Sequence, residues 1–356
     1  MRRMRNSGLS GHPANDWRDV LRRFGAMQAQ DYGPAKWSLG HRSRAVTNHG
    51  LDRDFDEGTL LRTHVLRPTW HFVLPEDIQW LLELTGPRVH AGNSGPYREL
   101  GMDEALTSRS NKLIARALRG GNRLTRKELQ SVLLKGGVDT DSRRVGYLMM
   151  YAELEGLICS GGLNGKQHTY ALLEERAPNG KRLSPDDALA ELTLRYFTTH
   201  GPATIHDFRW WSSLKVSDIR RGLDLVGSRL HNDVVDGKTY WFSGPAPPAR
   251  QRSAVVHLLQ AYDEYIVGYS ETKRLLNLSG IARPLSARTL YLGIVVLDGQ
   301  IAGHWKRTIA TRSVRFDVAL YRPLEGARAA ALQRTADAHG AFLGLPAEVT
   351  TTRLQP

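Results

Sequence analysis

The sequence predicts an α+β protein of three tandem winged-helix units followed by a smaller β-hairpin element. Three observations point there. Capped helices occur in groups, each group ends in a hairpin signal, and the C-terminal part breaks this rhythm with an apolar hairpin and a long helix. The chain has 356 residues, 41% of them hydrophobic and 24% charged. Such a length and composition describe a globular protein whose cores need no covalent staples.

Residues 1–15 form a basic segment, MRRMRNSGLSGHP at its start, with no apolar run behind it. That excludes a secretory signal and suggests a mobile arm. The first unit spans residues 16–118. Trp17, Val20, Leu21 and Phe24 repeat at helical spacing behind Asp16, a suitable N-cap. Around Trp70, Phe72 and Val73 the chain turns β-branched and aromatic, predicting a strand, after which Pro75 is expected to open a helix.

The second unit, residues 119–178, shows a capping box at Thr125 and Glu128 and a helix from Ser142 to Leu154. The hairpin LICSGGLNGKQHTYALL follows. The third unit, residues 179–246, repeats the plan. A helix starts at Ser184 and Pro185, a short one is capped near Thr204, and another covers Val216 to Val226. A hairpin then turns at Asp236-Gly237. GPAPPAR reads as a linker. Residues 247–356 hold a hairpin turning at Asp298-Gly299 and a terminal helix through ARAAALQRTADAHGAFLG.

Charge narrows the function. Forty-nine Lys and Arg against 36 Asp and Glu leave a net +13, the mark of a polyanion-binding protein. Winged helices place a helix in a groove and a wing on phosphates, so double-stranded DNA is the expected partner. The single cysteine, Cys159, excludes a disulfide framework and a cysteine-based zinc or iron–sulfur centre. It fits a reducing cytoplasm, and a nucleoid-associated location is expected. No apolar run is long enough to span a bilayer. His64 and His71 stand apart with arginines between them, so no metal is expected, and no cofactor either.

Several stretches carry a resemblance. MQAQDYGPAKWSLGHRSR, LLRTHVLRPTWHFVLPEDIQWLL, HGPATIHDFRWWSSL, LQAYDEYIVGY and VVLDGQIAGHWKR occur in order between Asp16 and Ala341. Together they resemble the AlkZ-like tandem winged-helix DNA glycosylases. That resemblance implies excision of bulky alkylated purines. Some members unhook interstrand crosslinks and protect bacteria that make alkylating natural products. The family's Gln–apolar–Gln motif maps onto Gln28, Ala29 and Gln30. Gln28 and Gln30 are thereby the candidate catalytic pair. A Gln–apolar–Asp variant exists in relatives and is not present here.

The chemistry suits two amides. Residues two apart share a face only in an extended segment, and each amide offers an acceptor and two donors. They can orient water beneath C1′ while a cationic purine leaves without an acid. Asp31, adjacent to the pair, is a possible electrostatic assistant. With no lysine in a Schiff-base setting, a monofunctional hydrolase acting on N7-alkylguanine and N3-alkyladenine is expected. Candidate DNA ligands are Lys36, Arg42, Arg44, Arg62, Arg67, His71, Lys306 and Arg307. The last two follow a hairpin whose turn suits a groove. Asp263 and Glu264 suit loop capping or the steadying of a basic residue; Trp70, Trp210, Trp211 and Trp305 suit packing. Alternatives are a non-catalytic damage binder and a winged-helix transcription regulator. The unequal repeats and the lack of a dimerisation coiled coil favour a monomeric enzyme.

Overall fold

The computed structural model describes residues 1–244, 254–282 and 292–354. Helices and several small sheets alternate along the chain, making a mixed α/β protein. The expected GPAPPAR linker lies largely outside the described residues.

The first helix of the first unit, Trp17–Phe24, starts at Asp16, whose side chain accepts from the Arg18 N–H. Its apolar positions Trp17, Val20, Leu21 and Phe24 are all buried. Gly25 ends it, and the chain enters the short strand Ala26–Gln28. That strand pairs with Arg67–Val73, which in turn pairs with Leu61–Val65, giving an antiparallel three-stranded sheet. Two helices, Tyr32–Gly40 and Asn48–Glu57, connect the outer strands. The next helix begins at Ile78 rather than Pro75. Pro75 to Asp77 form a turn instead, and Asp77 is held there by the Trp80 indole and by Arg195.

The second unit matches its expectation closely. Thr125 and Glu128 form both bonds of a capping box on Arg126–Lys135. Ser142–Leu154 follows, then the hairpin of Ile158–Asn164 and Gln167–Leu172. In the third, Pro185–Thr199, Ile205–Ser212 and Val216–Val226 precede a hairpin of His231–Val235 and Lys238–Phe242. Asp236 and Gly237 both adopt positive φ, 49° and 71°, the backbone that a tight two-residue hairpin turn demands.

Two expectations are corrected. The C-terminal part is more than a hairpin and a helix. Its hairpin, Gly293–Leu297 with Gln300–Ile309, lies inside a five-stranded sheet with Val256–Leu259, Val314–Leu320 and Ala347–Arg353. The last strand runs parallel to Val314–Leu320, and the helix Ala327–Leu343 makes the crossover. The N-terminal segment is docked, not a mobile arm. Arg2–Asn6 is helical, Met4 is fully buried, and the Arg3 guanidinium bonds the Pro202 carbonyl and the Thr272 hydroxyl.

One apolar cluster crosses the expected unit boundaries. It joins Leu61, Leu81, Tyr196, Trp211, Tyr265 and Val296, so the first sheet, the third helical unit and the C-terminal sheet share a core. No described helix is long and apolar enough to cross a membrane.

Candidate active site and nucleic-acid interface

Gln28 ends the first strand and sits opposite His71 in the register. Its surroundings come from three distant segments. The Glu264 carboxylate accepts the Gln28 backbone N–H at 2.6 Å. Arg67 donates to the Gln28 side-chain oxygen at 2.7 Å. The amide is therefore oriented, with its oxygen turned towards Arg67. Pairing continues past the strand, since the Ala29 N–H donates to the Trp70 carbonyl. The Trp70 N–H donates to the Gln30 side-chain oxygen at 3.3 Å. Arg62 bonds the carbonyls of Ala29 and Gln30 at 2.9 and 3.2 Å. Both side-chain oxygens and the backbone carbonyls of Ala29 and Gln30 thus have fixed partners before any ligand arrives.

Glu264 is fully buried. Besides Gln28 it accepts from the Trp211 indole at 2.7 Å and from His200 Nε2 at 3.3 Å. Burial pushes its carboxyl up, but the His200 bond and the nearby Arg67 charge outweigh that and hold it near 2. It is an ionised strut behind the backbone, with both oxygens taken. His71, the register partner of Gln28 on the neighbouring strand, is fully buried. Its Nδ1–H donates to the Thr69 carbonyl, and its Nε2 is unpartnered. Burial and the Arg67 charge push its pKa down to about 3, so the ring is neutral.

Several expected DNA ligands are engaged inside the protein. Arg42 has a fully buried side chain whose donors reach Asp263 at 2.6 and 2.8 Å and the carbonyls of Ser7 and Ser38. Four of its five N–H groups are spent inside the protein, and the side chain has no exposed surface. Lys36 is buried and bonded to Asp52 at 2.6 Å. Arg62 and Arg67 brace the Gln pair, as described. His71 has no surface to offer. All five are buried in the free protein and bonded to protein groups, which distinguishes them from the exposed cations among the expected DNA ligands. Arg44 is exposed. Lys306 is exposed too, 3.9 Å from Asp317, but it sits within the strand Gln300–Ile309 and not in a turn. Arg307, on the same strand, bonds His339 at 2.8 Å and feels the charge of Asp31. Asp31 itself is exposed, at the start of the Tyr32–Gly40 helix, and its side chain makes no capping bond. Asp263 caps a short helix through the Tyr265 N–H and steadies Arg42, as its position suggested.

Gln28 and Arg67 line an open cavity of about 770 Å³. Its other walls are Pro68 and Thr69, then His206, Arg209 and Trp210 of the Ile205–Ser212 helix, and Tyr262, Val267 and Lys273 farther along. Among the described residues no carboxylate lines it. Trp211 and Trp305 are core residues, and the Trp70 ring lies 4.4 Å from the His64 ring, tilted by 42°, and 4.4 Å from the Arg62 guanidinium. Trp210 departs from the packing role: it is 52% exposed, at the cavity. The link of Glu264 to Gln28, and the place of Trp210, Arg209 and Lys273 in the same cavity, have no local sequence signal, because only the fold brings these segments together.

The geometry agrees with comparisons to known proteins. The family model for AlkZ-like DNA glycosylases matches residues 21–342. This chain belongs to the AlkZ-like DNA glycosylase family. A Streptomyces sahachiroi protein described as an interstrand DNA cross-link repair glycosylase is 26% identical over 307 residues, covering 81% of each chain. The solved structure of the Streptomyces sahachiroi DNA glycosylase AlkZ has a similar fold, with a TM-score of 0.76 and 22% identity. The match covers 98% of this chain and 97% of that one. As a DNA glycosylase the AlkZ-like chain is a hydrolase, and the regulator alternative is set aside.

Proposed function

We propose that this enzyme removes bulky cationic alkylpurines, N7-alkylguanine and N3-alkyladenine, from double-stranded DNA as a monomer, leaving an abasic site. The observation that carries this is a cavity beside Gln28 with no carboxylate among the described residues of its wall, next to two amides whose oxygens are fixed by Arg67 and by the Trp70 N–H. An amide oxygen that accepts one bond has a second lone pair for water. Gln28 and Gln30 in that state hold a nucleophilic water without titrating. The nearest buried carboxylate, Glu264, stays ionised and has both oxygens occupied, so it is no acid. A purine already cationic leaves as a neutral base and needs none. Positioning of the water then supplies the rate, and such orientation is worth several kcal/mol.

Asp31 is an electrostatic assistant in this reading, since its charge already reaches Arg62 and Arg307. The three helix–helix–hairpin groups act as winged helices around the duplex. Arg44 and Lys306, exposed in the free protein, contact phosphate. The likeness to an interstrand DNA cross-link repair glycosylase supports extending the substrates to interstrand crosslinks, with self-resistance to a genotoxic product as the biological role and the nucleoid as the place.

The test is single-turnover base release from duplexes carrying one N7-alkylguanine or one uracil. Gln28→Ala and Gln30→Ala are each expected to slow release of the alkylguanine strongly while affinity for undamaged duplex stays within about twofold, because the pair acts on the transition state. Uracil is expected to remain in place. Wild-type rates in both variants would remove the pair from the mechanism. Equal release of uracil would make Asp31 or His206 the acid.

A further inference from the structure

We infer that Trp210 is the stacking platform for the uncharged aromatic part of a lesion, and thereby sets the enzyme's preference for bulky adducts. This deepens the glycosylase reading above and rests on it.

An indole left 52% exposed on a helix is unusual, and here it is also immobilised. The Trp210 Nε1–H donates to the Val267 carbonyl at 3.1 Å, which fixes the ring at the cavity wall. The Arg67 guanidinium lies 5.9 Å from the ring centroid, and the same Arg67 holds the Gln28 amide. One cation therefore spaces the indole from the catalytic segment. The neighbouring Trp211 is the contrast: it is wholly buried and spends its N–H on Glu264. The core therefore uses one of the two adjacent indoles and leaves the other at the opening.

The charge of the cavity decides what enters. Arg67, Arg209 and Lys273 line it and, among the described residues, no carboxylate does. The base lies over the Gln28–Gln30 segment at the cavity's edge, and its substituent extends towards Trp210. What fits the cavity is neutral, flat and polarizable. About 770 Å³ is ample for a fused or substituted ring system. Arg209 and Lys273 then face the flanking phosphates, and the substituent lies against the Trp210 face. On this reading a benzyl substituent covers the indole face, whereas a methyl group leaves it uncovered.

The experiment compares two duplexes, one carrying N7-benzylguanine and one N7-methylguanine. It measures equilibrium dissociation constants and single-turnover excision for wild type, Trp210→Ala and Trp210→Phe. The readout is the benzyl-to-methyl ratio, which is independent of how much of a variant preparation is folded. Base–aromatic stacking predicts that Trp210→Ala lowers this ratio by roughly 10-fold, in binding and in excision, and that Trp210→Phe keeps most of it. An unchanged ratio in Trp210→Ala would overturn the proposal, as would a ratio in Trp210→Phe as low as that in Trp210→Ala. Should the wild type release neither base, the glycosylase reading fails, and the binding ratio still decides the role of Trp210.

Discussion

At Gln28 the backbone and the side chain are held by opposite charges, Glu264 behind and Arg67 beside. Each is buried, so removing one leaves the other uncompensated in a poor solvent for ions. Arg67→Ala is expected to slow alkylguanine excision while leaving affinity for undamaged duplex close to wild type; the opposite pattern would make Arg67 a phosphate ligand. Glu264→Gln keeps the shape but sets an amide N–H2 against the Trp211 indole N–H or the Gln28 N–H. A cost of about 1–3 kcal/mol in stability, read by urea titration, together with slower excision is expected. His71 adds a pH dependence. Its pKa is about 3 in the fold against an ordinary 6.5, so between these values the unfolded chain binds a proton that the folded chain does not. Stability is complete above about 6.5 and falls as the pH drops towards 3. Glu264, near 2 against 4.5, acts in the same direction over the lower part of that range. The urea midpoint should therefore fall from pH 7 to pH 4, and fall less in His71→Phe. An equal fall in both proteins would show that His71 takes up its proton without unfolding.

The helix Glu264–Val267 reaches the active site only because the residue after it is glycine. Gly268 has an ordinary φ of −68°, so backbone conformation does not require it. Space does: a Cβ there would lie 2.4 Å from the His200 ring and 2.6 Å from the Glu264 carbonyl. His200 and Glu264 are bonded to each other, so the strain would be delivered to the strut behind Gln28. Gly268→Ala is expected to lower stability by about 1–3 kcal/mol and to slow excision as well. Gly237→Ala is the matched control. At φ 71° it strains the backbone at a cost of about 1 kcal/mol. A Cβ there meets nothing within 4 Å and leaves His200 and Glu264 untouched, so excision by folded protein already saturating the duplex is unchanged. Thermal melts and single-turnover assays on both variants separate the two cases; loss of excision in Gly237→Ala alone would reverse the assignment.

Over the whole molecule the net charge is +13, yet Lys36, Arg42, Arg62 and Arg67 are consumed by internal contacts. The cations left to meet DNA include Arg44, Arg209, Lys273 and Lys306, all exposed. Several phosphate contacts release counterions, so affinity for undamaged duplex should fall with salt on a log–log slope of roughly −4 to −8. Neutralising Lys306 should make that slope shallower by roughly one. A slope near zero between low and physiological ionic strength would point to a protein partner.

What the sequence by itself determined is the local grammar. The Asp16 cap, the Thr125–Glu128 capping box, the Pro185 helix start and the Asp-Gly turns at 236 and 298 are all bonds or dihedrals between near neighbours. Their signals survive any tertiary setting, which is why the helix–helix–hairpin order was readable. The Gln pair was readable as a motif, through the family resemblance and not through spacing alone. Tertiary structure decided what each charge is for. Arg42 and Asp263 are 221 residues apart, and Gln28 and Glu264 are 236 apart. A buried cation and an exposed one look the same in a sequence, because the difference lies in the partner that folding brings. The same reason hid the parallel strand Ala347–Arg353, whose threonines pair with Val314–Leu320 across a whole helix, and the docking of Met4 and Arg3. Adjacent tryptophans at 210 and 211 make the point most simply: one helix carries both, and only the core behind it chooses which is buried.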